Sequence, residues 1–260
     1  MAKKAVWLEQ FRLLLIAISF FTRIPVPSQL HIDSDSLNHA SRYFGVVGLL
    51  VGTVSAAVMW LVSLWMPTSV AIVMAMLTSV ILTGAFHEDG LADTADGFGG
   101  GWSVADKLRI MKDSRLGSYG AIALVLVLLL KFLLITELAL YDATQALFAL
   151  VLAHTLSRVI AASLIYTETY VRDEGKSKPL ANQQSFTDLT VLILTAILVV
   201  LLLAPSAIIT FAISAIIIRS VLCFWFRRQI GGYTGDTLGA AQQVSELIIY
   251  MLLLIGRTSS

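Results

Sequence analysis

The sequence predicts an all-α fold: a polytopic integral membrane bundle of about seven transmembrane helices plus an N-terminal interfacial helix. Of its 260 residues, 57% are hydrophobic and only 13% are charged, whereas about a quarter of an average soluble domain is charged. The apolar residues form long uncharged runs that match a hydrocarbon layer about 30 Å thick. We therefore expect one membrane-embedded domain over residues 1–260, with the lipid bilayer as its surroundings.

The helices are predicted in order from these runs and from the turns between them. Residues 5–22 have an unbroken apolar core that is too short to cross, so we expect this segment to lie in the membrane interface. In the first span, Gly45, Gly48 and Gly52 favour the close approach of another helix. The predicted spans are 44–65, 69–86, 121–140, 144–166, 188–203, 206–226 and 238–256.

The distribution of basic residues predicts the orientation. With seven spans, four segments share one side and hold fourteen of the 18 Lys and Arg residues. Basic residues are retained in the cytoplasm, so this side is expected to be cytoplasmic. The four segments are 1–43, 87–120, 167–187 and 227–237.

A polar stretch, residues 84–120, carries the densest cluster of charge. On a helix, Asp89, Asp93 and Asp96 would fall on one stripe, because they are four and three residues apart. Like charges at this spacing repel unless a cation lies among them, and oxygen ligands suit Mg²⁺. The pattern predicts a magnesium site, with a solvated acidic helix end as the alternative.

Phosphate-binding features follow the stripe. In the run GFGGG, Gly99 and Gly100 lack Cβ atoms and would let backbone N–H groups approach an anion, although a flexible linker is the alternative. Arg109, Lys112 and Arg115 are three residues apart and would form one basic helical face. Such a face could clamp a diphosphate, or it could serve only as a positive-inside anchor.

The second glycine-rich loop, residues 227–237, is predicted on the same side as the stripe. Asp236 follows Gly235 and precedes the last span, where it could cap the helix or supply another oxygen ligand. We expect this loop and residues 87–120 to form one site.

Among the ionisable side chains within predicted spans, which also include Arg219, five are candidates for a role in transport. They could pair across helices as structural links, or line a transport path. We favour an enzyme over a transporter because the acidic and basic blocks lie at the membrane surface and no internal repeat is evident. The five are Lys131, Glu137, His154, Arg158 and Glu246.

Four sequence blocks, FFTRIPVP, HEDGLADTADG, IMKDSRLGSYG and GGYTGDTLGA, resemble those of the cobalamin synthase family, adenosylcobinamide-GDP ribazoletransferases. The resemblance spans residues 20–246, and the chain departs from the family's pattern at Gly45 and Glu88. A CDP-alcohol phosphotransferase is the competing enzyme class, but DGLADT lacks that family's arginine, and the second half of its motif is absent.

The resemblance implies a Mg²⁺-dependent enzyme of the bacterial inner membrane whose active site faces the cytoplasm. It would join α-ribazole, or its 5′-phosphate, to adenosylcobinamide-GDP and release GMP, with the 5′-hydroxyl of α-ribazole attacking phosphorus. Other corrinoid-assembly enzymes are conceivable partners, and no nucleic acid is expected. His87, Asp113 and Asp236 are the candidate general bases, and the sequence does not rank them.

Overall fold

A computed structural model describes residues 2–27, 30, 32–172 and 183–258 of the chain. Within these ranges the fold is all-α, as predicted, and the described residues contain one isolated β-bridge, between Tyr170 and Tyr233. The helices are α1 (Ala2–Phe21), α2 (Ser34–Ala40), α3 (Phe44–Ser63), α4 (Thr68–Thr83), α5 (Phe86–Gly100), α6 (Val104–Ile110), α7 (Ser118–Tyr141), α8 (Ala143–Ser163), α9 (Phe186–Leu203), α10 (Ile208–Ile230) and α11 (Gly235–Thr258).

Six segments of the described chain are long and apolar enough to cross a membrane, and α4 with α5 would make a seventh if counted as one broken span. The prediction of about seven spans is therefore confirmed. The N-terminal helix α1 also forms, and it is not among the six. Residues 173–182, part of the predicted loop 167–187, lie outside the described residues. The six segments are Ser34–Ser63, Ser118–Tyr141, Ala143–Tyr166, Phe186–Leu203, Pro205–Ile230 and Gly235–Gly256.

The glycine face of α3 packs directly against α8, as its spacing predicts. A Cβ atom added at Gly48 would lie 2.3 Å from the backbone oxygen of His154, and one at Gly52 would lie 2.8 Å from that of Leu150. No larger residue fits there without moving a backbone. This close packing makes α8 the central helix, and 94% of its spanning window is buried.

A left-handed turn separates α4 from α5. Gly84 and Ala85 have φ angles of 68° and 60°, and the axes of the two helices differ by 86°. The side chain of Arg23 lies against this turn, because a Cβ atom at Gly84 would be 2.5 Å from its Nε. The turn sends α5 away from the direction of α4, so the aspartate-bearing helix does not simply continue a span.

Buried polar side chains link α7, α8 and α11 inside the bundle. Glu246 of α11 lies 2.6 Å from Lys131 Nζ of α7 and 3.6 Å from His154 Nε2 of α8, and it accepts a hydrogen bond of 2.8 Å from Gln242. Arg158 donates to the backbone oxygen of His154 at 2.9 Å. These contacts favour the structural interpretation of the charges within spans, since ions in an apolar interior need partners.

Glu137 does not join this group and lies on the exposed face of α7. It is the one member of the five that the structure separates from the others.

Candidate functional site

The acidic stripe forms on α5, and burial increases along it. Asp89 is exposed, Asp93 is half-buried and Asp96 is only 8% exposed. The helical register is regular at its start, where the N–H of Asp89 donates to the oxygen of Ala85 at 2.9 Å. The sequence pattern therefore predicted the helix and the common stripe correctly, but the three carboxylates have different surroundings.

Two glycines let α5 cross α11 almost backbone to backbone. A Cβ atom on Gly90 would lie 2.8 Å from the backbone oxygen of Asp236 and 3.2 Å from Cα of Gly239. The second polar block is thereby held against the first, as expected for one site built from both. Neither glycine was singled out from the sequence, although each sits within a conspicuous motif, HEDGLAD and GDTLGA.

Asp236 is paired with an arginine that sequence reasoning missed. Arg172 Nη2 donates to the Asp236 carboxylate and also to the backbone oxygen of Met111 at 3.2 Å. The helix cap is Thr234, whose Oγ1 accepts from the N–H of Thr237 at 3.2 Å. The capping interpretation of Asp236 is therefore wrong. The only hint of Arg172 in the sequence was a basic residue within a polar loop.

The stripe carries negative charge that its neighbours do not neutralise. Burial, together with the nearby carboxylates of Asp236 and Asp89, raises the pKa of Asp93 to about 7, and Arg172 offsets this only in part. A cation placed among these oxygens would relieve the repulsion. The donor chemistry of Asp89 and Asp93 thus fits a hard divalent ion.

Asp96 has a different partner from the rest of the stripe. Its two carboxylate oxygens accept hydrogen bonds from the backbone N–H groups of Gly117 at 2.7 Å and Gly120 at 2.8 Å. It therefore neutralises the positive N-terminal end of α7. Within the described residues no three His, Cys, Asp or Glu side chains are placed to hold a metal ion together.

The GFGGG run is a helix end and not an anion-binding loop. Gly99 and Gly100 belong to the last turn of α5, where the N–H groups serve the helix and only carbonyl oxygens are free. Gly99 packs against an aromatic ring, because a Cβ atom there would be 2.6 Å from Cγ of Tyr119. The prediction that these two glycines approach a phosphate is corrected accordingly.

The predicted basic face does not form, because α6 ends at Ile110. Arg109 lies in its last turn, 3.3 Å from Asp106, whereas Lys112 and Arg115 follow the helix. The side chain of Asp113 accepts from the backbone N–H of Arg115 at 3.1 Å, a local turn that competes with helix continuation.

The Arg115 guanidinium then pairs with the same carboxylate at 2.6 Å, and these hydrogen bonds lower the pKa of Asp113 to about 2. That makes Asp113 a weak proton acceptor.

His87, the remaining candidate base, borders an aromatic pocket beside the stripe. Its ring stacks on Phe21 with centroids 5.5 Å apart, and burial holds the pKa of His87 well below its usual value. The imidazole is therefore neutral, and the same burial makes it a weaker base than an ordinary histidine. Gly235, the first residue of α11, lines the same pocket, as do Phe20, Phe44, Phe86 and Gln242.

Comparison with known proteins identifies close relatives. The family model for cobalamin-5-phosphate synthase matches residues 13–254. An adenosylcobinamide-GDP ribazoletransferase of Shewanella oneidensis is 56% identical over 257 residues, covering 98% of both chains. One of Shewanella frigidimarina is 61% identical over 250 residues, covering 95% of this chain and 96% of the relative. No solved structure matches the chain.

The different surroundings of Asp96 and Asp93 predict different changes in Tm when each is replaced by asparagine. Asp96→Asn should lower the Tm of the detergent-solubilised protein by several degrees, because an amide has one acceptor oxygen for two N–H donors and no charge for the helix end. Hydrogen bonds to charged groups contribute about 1.5–3 kcal/mol. Asp93→Asn should leave the Tm unchanged or raise it, since it removes a repelled charge. Equal losses in both variants, measured by thermal unfolding, would contradict this division.

Proposed function

The chain belongs to the cobalamin-5-phosphate synthase family, and from that premise we propose that it joins adenosylcobinamide-GDP to α-ribazole or α-ribazole 5′-phosphate and releases GMP. The observation that carries the proposal is the crossing of α5 and α11, which places Asp236 beside Asp89 and Asp93. A diphosphate substrate needs charge neutralisation, and this cluster together with Arg172 supplies groups of both signs.

The reaction is a substitution at phosphorus. A ribose hydroxyl of α-ribazole forms a new P–O bond at the phosphorus next to the corrinoid, the P–O bond to GMP breaks, and the hydroxyl proton passes to a base. A product described as cobalamin 5-phosphate keeps a phosphate at the 5-position, so the 5′-hydroxyl is occupied in that substrate. For α-ribazole 5′-phosphate we therefore propose attack by another ribose hydroxyl, whereas for α-ribazole itself the 5′-attack expected from the sequence stays a prediction.

Asp89 and Asp93 are the residues we propose for Mg²⁺, with substrate phosphates completing its ligands, because Mg²⁺ commonly takes only one or two carboxylates. When bound, the ion would neutralise charge on the diphosphate. We leave Asp96 out of this proposed set because both of its carboxylate oxygens accept hydrogen bonds from the start of α7.

Two further side chains complete the proposed site. Arg172 is held by Asp236 and by the backbone at Met111, so its guanidinium is positioned to contact a phosphate. His87 is our choice of base, because Asp113 and Asp236 are each engaged by an arginine whereas the His87 ring faces the pocket.

The decisive assay combines purified protein, adenosylcobinamide-GDP, α-ribazole and Mg²⁺, and follows cobalamin and GMP. The parent protein should form both products, and Asp89→Asn should reduce kcat severely without lowering the Tm, because an amide lacks the charge that a hard cation requires. Asp35→Asn, an exposed acid on α2, is the matched control and should keep full activity. An inactive parent protein at every metal concentration would refute the proposed function.

The phosphate clamp is tested by two lysine variants. Arg172→Lys keeps the charge but loses the planar fork, so kcat/KM for adenosylcobinamide-GDP should fall roughly ten- to a hundredfold, the effect of one charge-assisted hydrogen bond. Arg115→Lys should stay within about twofold if its exposed guanidinium only holds Asp113. If steady-state kinetics instead showed a large loss of kcat/KM for Arg115→Lys and little loss for Arg172→Lys, Arg115 would contact the diphosphate, as the sequence predicted.

We propose that this end of the bundle faces the cytoplasm of a bacterial inner membrane, on the strength of the basic residues in its segments. In a variant with Cys223→Ser, single cysteines replacing Trp102 and Arg228 should react with an impermeant thiol reagent only in inverted vesicles. Cysteines replacing Trp65 and Tyr141 should react only in intact spheroplasts. All four of the replaced side chains are exposed. Labelling of Trp102→Cys and Arg228→Cys from opposite sides would contradict the proposal.

A further inference from the structure

A large apolar crevice lies between α8, α9 and α10, away from the acidic stripe. Its cavity volume is about 520 Å³, within the roughly 300–1,000 Å³ usual for small-molecule sites. All three helices are membrane-spanning candidates. The lining includes Leu156, Ile160, Ile193, Val200, Phe211 and Ile216.

The crevice would open towards hydrocarbon in a bilayer. Ile193 is 43% exposed and Ile216 is 66% exposed, so the lining reaches the outer surface of the bundle. Its apolar walls offer water few hydrogen-bond partners, and an unfilled void of this size would forfeit dispersion contacts along every wall. A hydrocarbon chain is the chemically matching occupant.

Arg219 lies at one end of the crevice and has no carboxylate partner within the part of the chain that the structure describes. Arg219 donates from Nε to Ser163 Oγ at 3.2 Å and from Nη2 to Thr167 Oγ1 at 2.6 Å, and both acceptors are neutral. The neighbouring carboxylate of Glu168 is taken by Arg227, at 2.5 Å. Among the described residues Arg219 Nη1 has no hydrogen-bond partner, so its charge and one of its donors remain available for an anion.

Arg219 itself lies within the span Pro205–Ile230 of α10, but its guanidinium reaches the level at which the α8 span ends, where a lipid headgroup would lie. Thr167, which Arg219 contacts, directly follows the end of the span Ala143–Tyr166. Tyr166 lines the crevice and is 42% exposed, as is typical of aromatic residues at a membrane interface. An anion at this level of a bilayer is most simply a lipid phosphate.

We propose that the crevice binds one anionic phospholipid, with its phosphate on Arg219 and an acyl chain between α8, α9 and α10. The lipid fills the gap beside the central helix α8 and fixes the α9–α10 hairpin against it. This site is independent of the phosphoryl-transfer chemistry, and it concerns the assembly of the bundle.

The test is native mass spectrometry of protein released from nanodiscs that contain equal phosphatidylglycerol and phosphatidylcholine with the same acyl chains. The parent protein should retain one phosphatidylglycerol per chain. Arg219→Gln should lower that retention roughly tenfold, since it removes a charge-assisted contact. Arg228→Gln, an exposed arginine on the same helix, should not change it. Ala212→Phe, which fills the crevice, should also release the lipid while keeping Arg219.

Thermal unfolding in detergent supplies a second measurement. Added phosphatidylglycerol should raise the Tm of the parent protein, because a ligand of the folded state stabilises it, and should raise that of Ala212→Phe less. Equal retention of phosphatidylcholine, an equal shift from inorganic phosphate alone, or unchanged retention in Ala212→Phe would each overturn the proposal. If the lipid-free parent protein formed a dimer and Ala212→Phe did not, a second copy of the chain would occupy the crevice, and this result would also overturn the proposal.

Discussion

The close crossing of α5 and α11 at Gly90 and Gly239 is the constraint on which the proposed site depends. It joins polar blocks almost 150 residues apart in the sequence, and it does so through backbone contact, which leaves no room for a side chain on Gly90 and little on Gly239. Helices in a membrane gain little from the hydrophobic effect and associate through such close packing. The carboxylates of Asp93 and Asp236 therefore stay near each other despite their repulsion, since the helices that carry them are held independently.

The buried ion group performs a similar task deeper in the bundle. Glu246 fixes α11 to Lys131 of α7 and, with Gln242, lies beside the histidine of α8. Gln243, next along α11, donates to Glu88 of α5 at 3.1 Å, so the same helix face links the group to the residue that precedes Asp89. Unpaired polar groups are expensive in an apolar interior, and this chain of contacts gives α11 a defined rotation. That rotation sets where Asp236 points.

The sequence predicted what periodicity and charge can encode: the spans, the glycine face of α3, the acidic stripe and the meeting of two polar blocks. It failed where a local contact decides the outcome. The helix α6 ends at Ile110 and a turn at Asp113 follows it, so the basic face does not form, and the GFGGG run belongs to the last turn of α5. The spacing in the sequence does not distinguish Asp96 from Asp93. The difference comes from the tertiary structure, because the N-terminus of α7 lies at Asp96 and binds its carboxylate, whereas the charge of Asp93 is not neutralised.

Arg172, the positively charged residue beside Asp236, could not be predicted from the spacing of residues in the sequence. Its place is set by a short backbone pairing, in which the N–H of Tyr233 donates to Thr169 at 2.9 Å and the N–H of Val171 donates to Tyr233 at 3.0 Å. This pairing ties the end of α8 to the start of α11, and the next residue, Arg172, then reaches Asp236. The pairing is a contact between distant segments with no periodic signature. The positive group of the proposed site therefore follows from the connection between two helices, whereas the negative groups follow from the pattern within one.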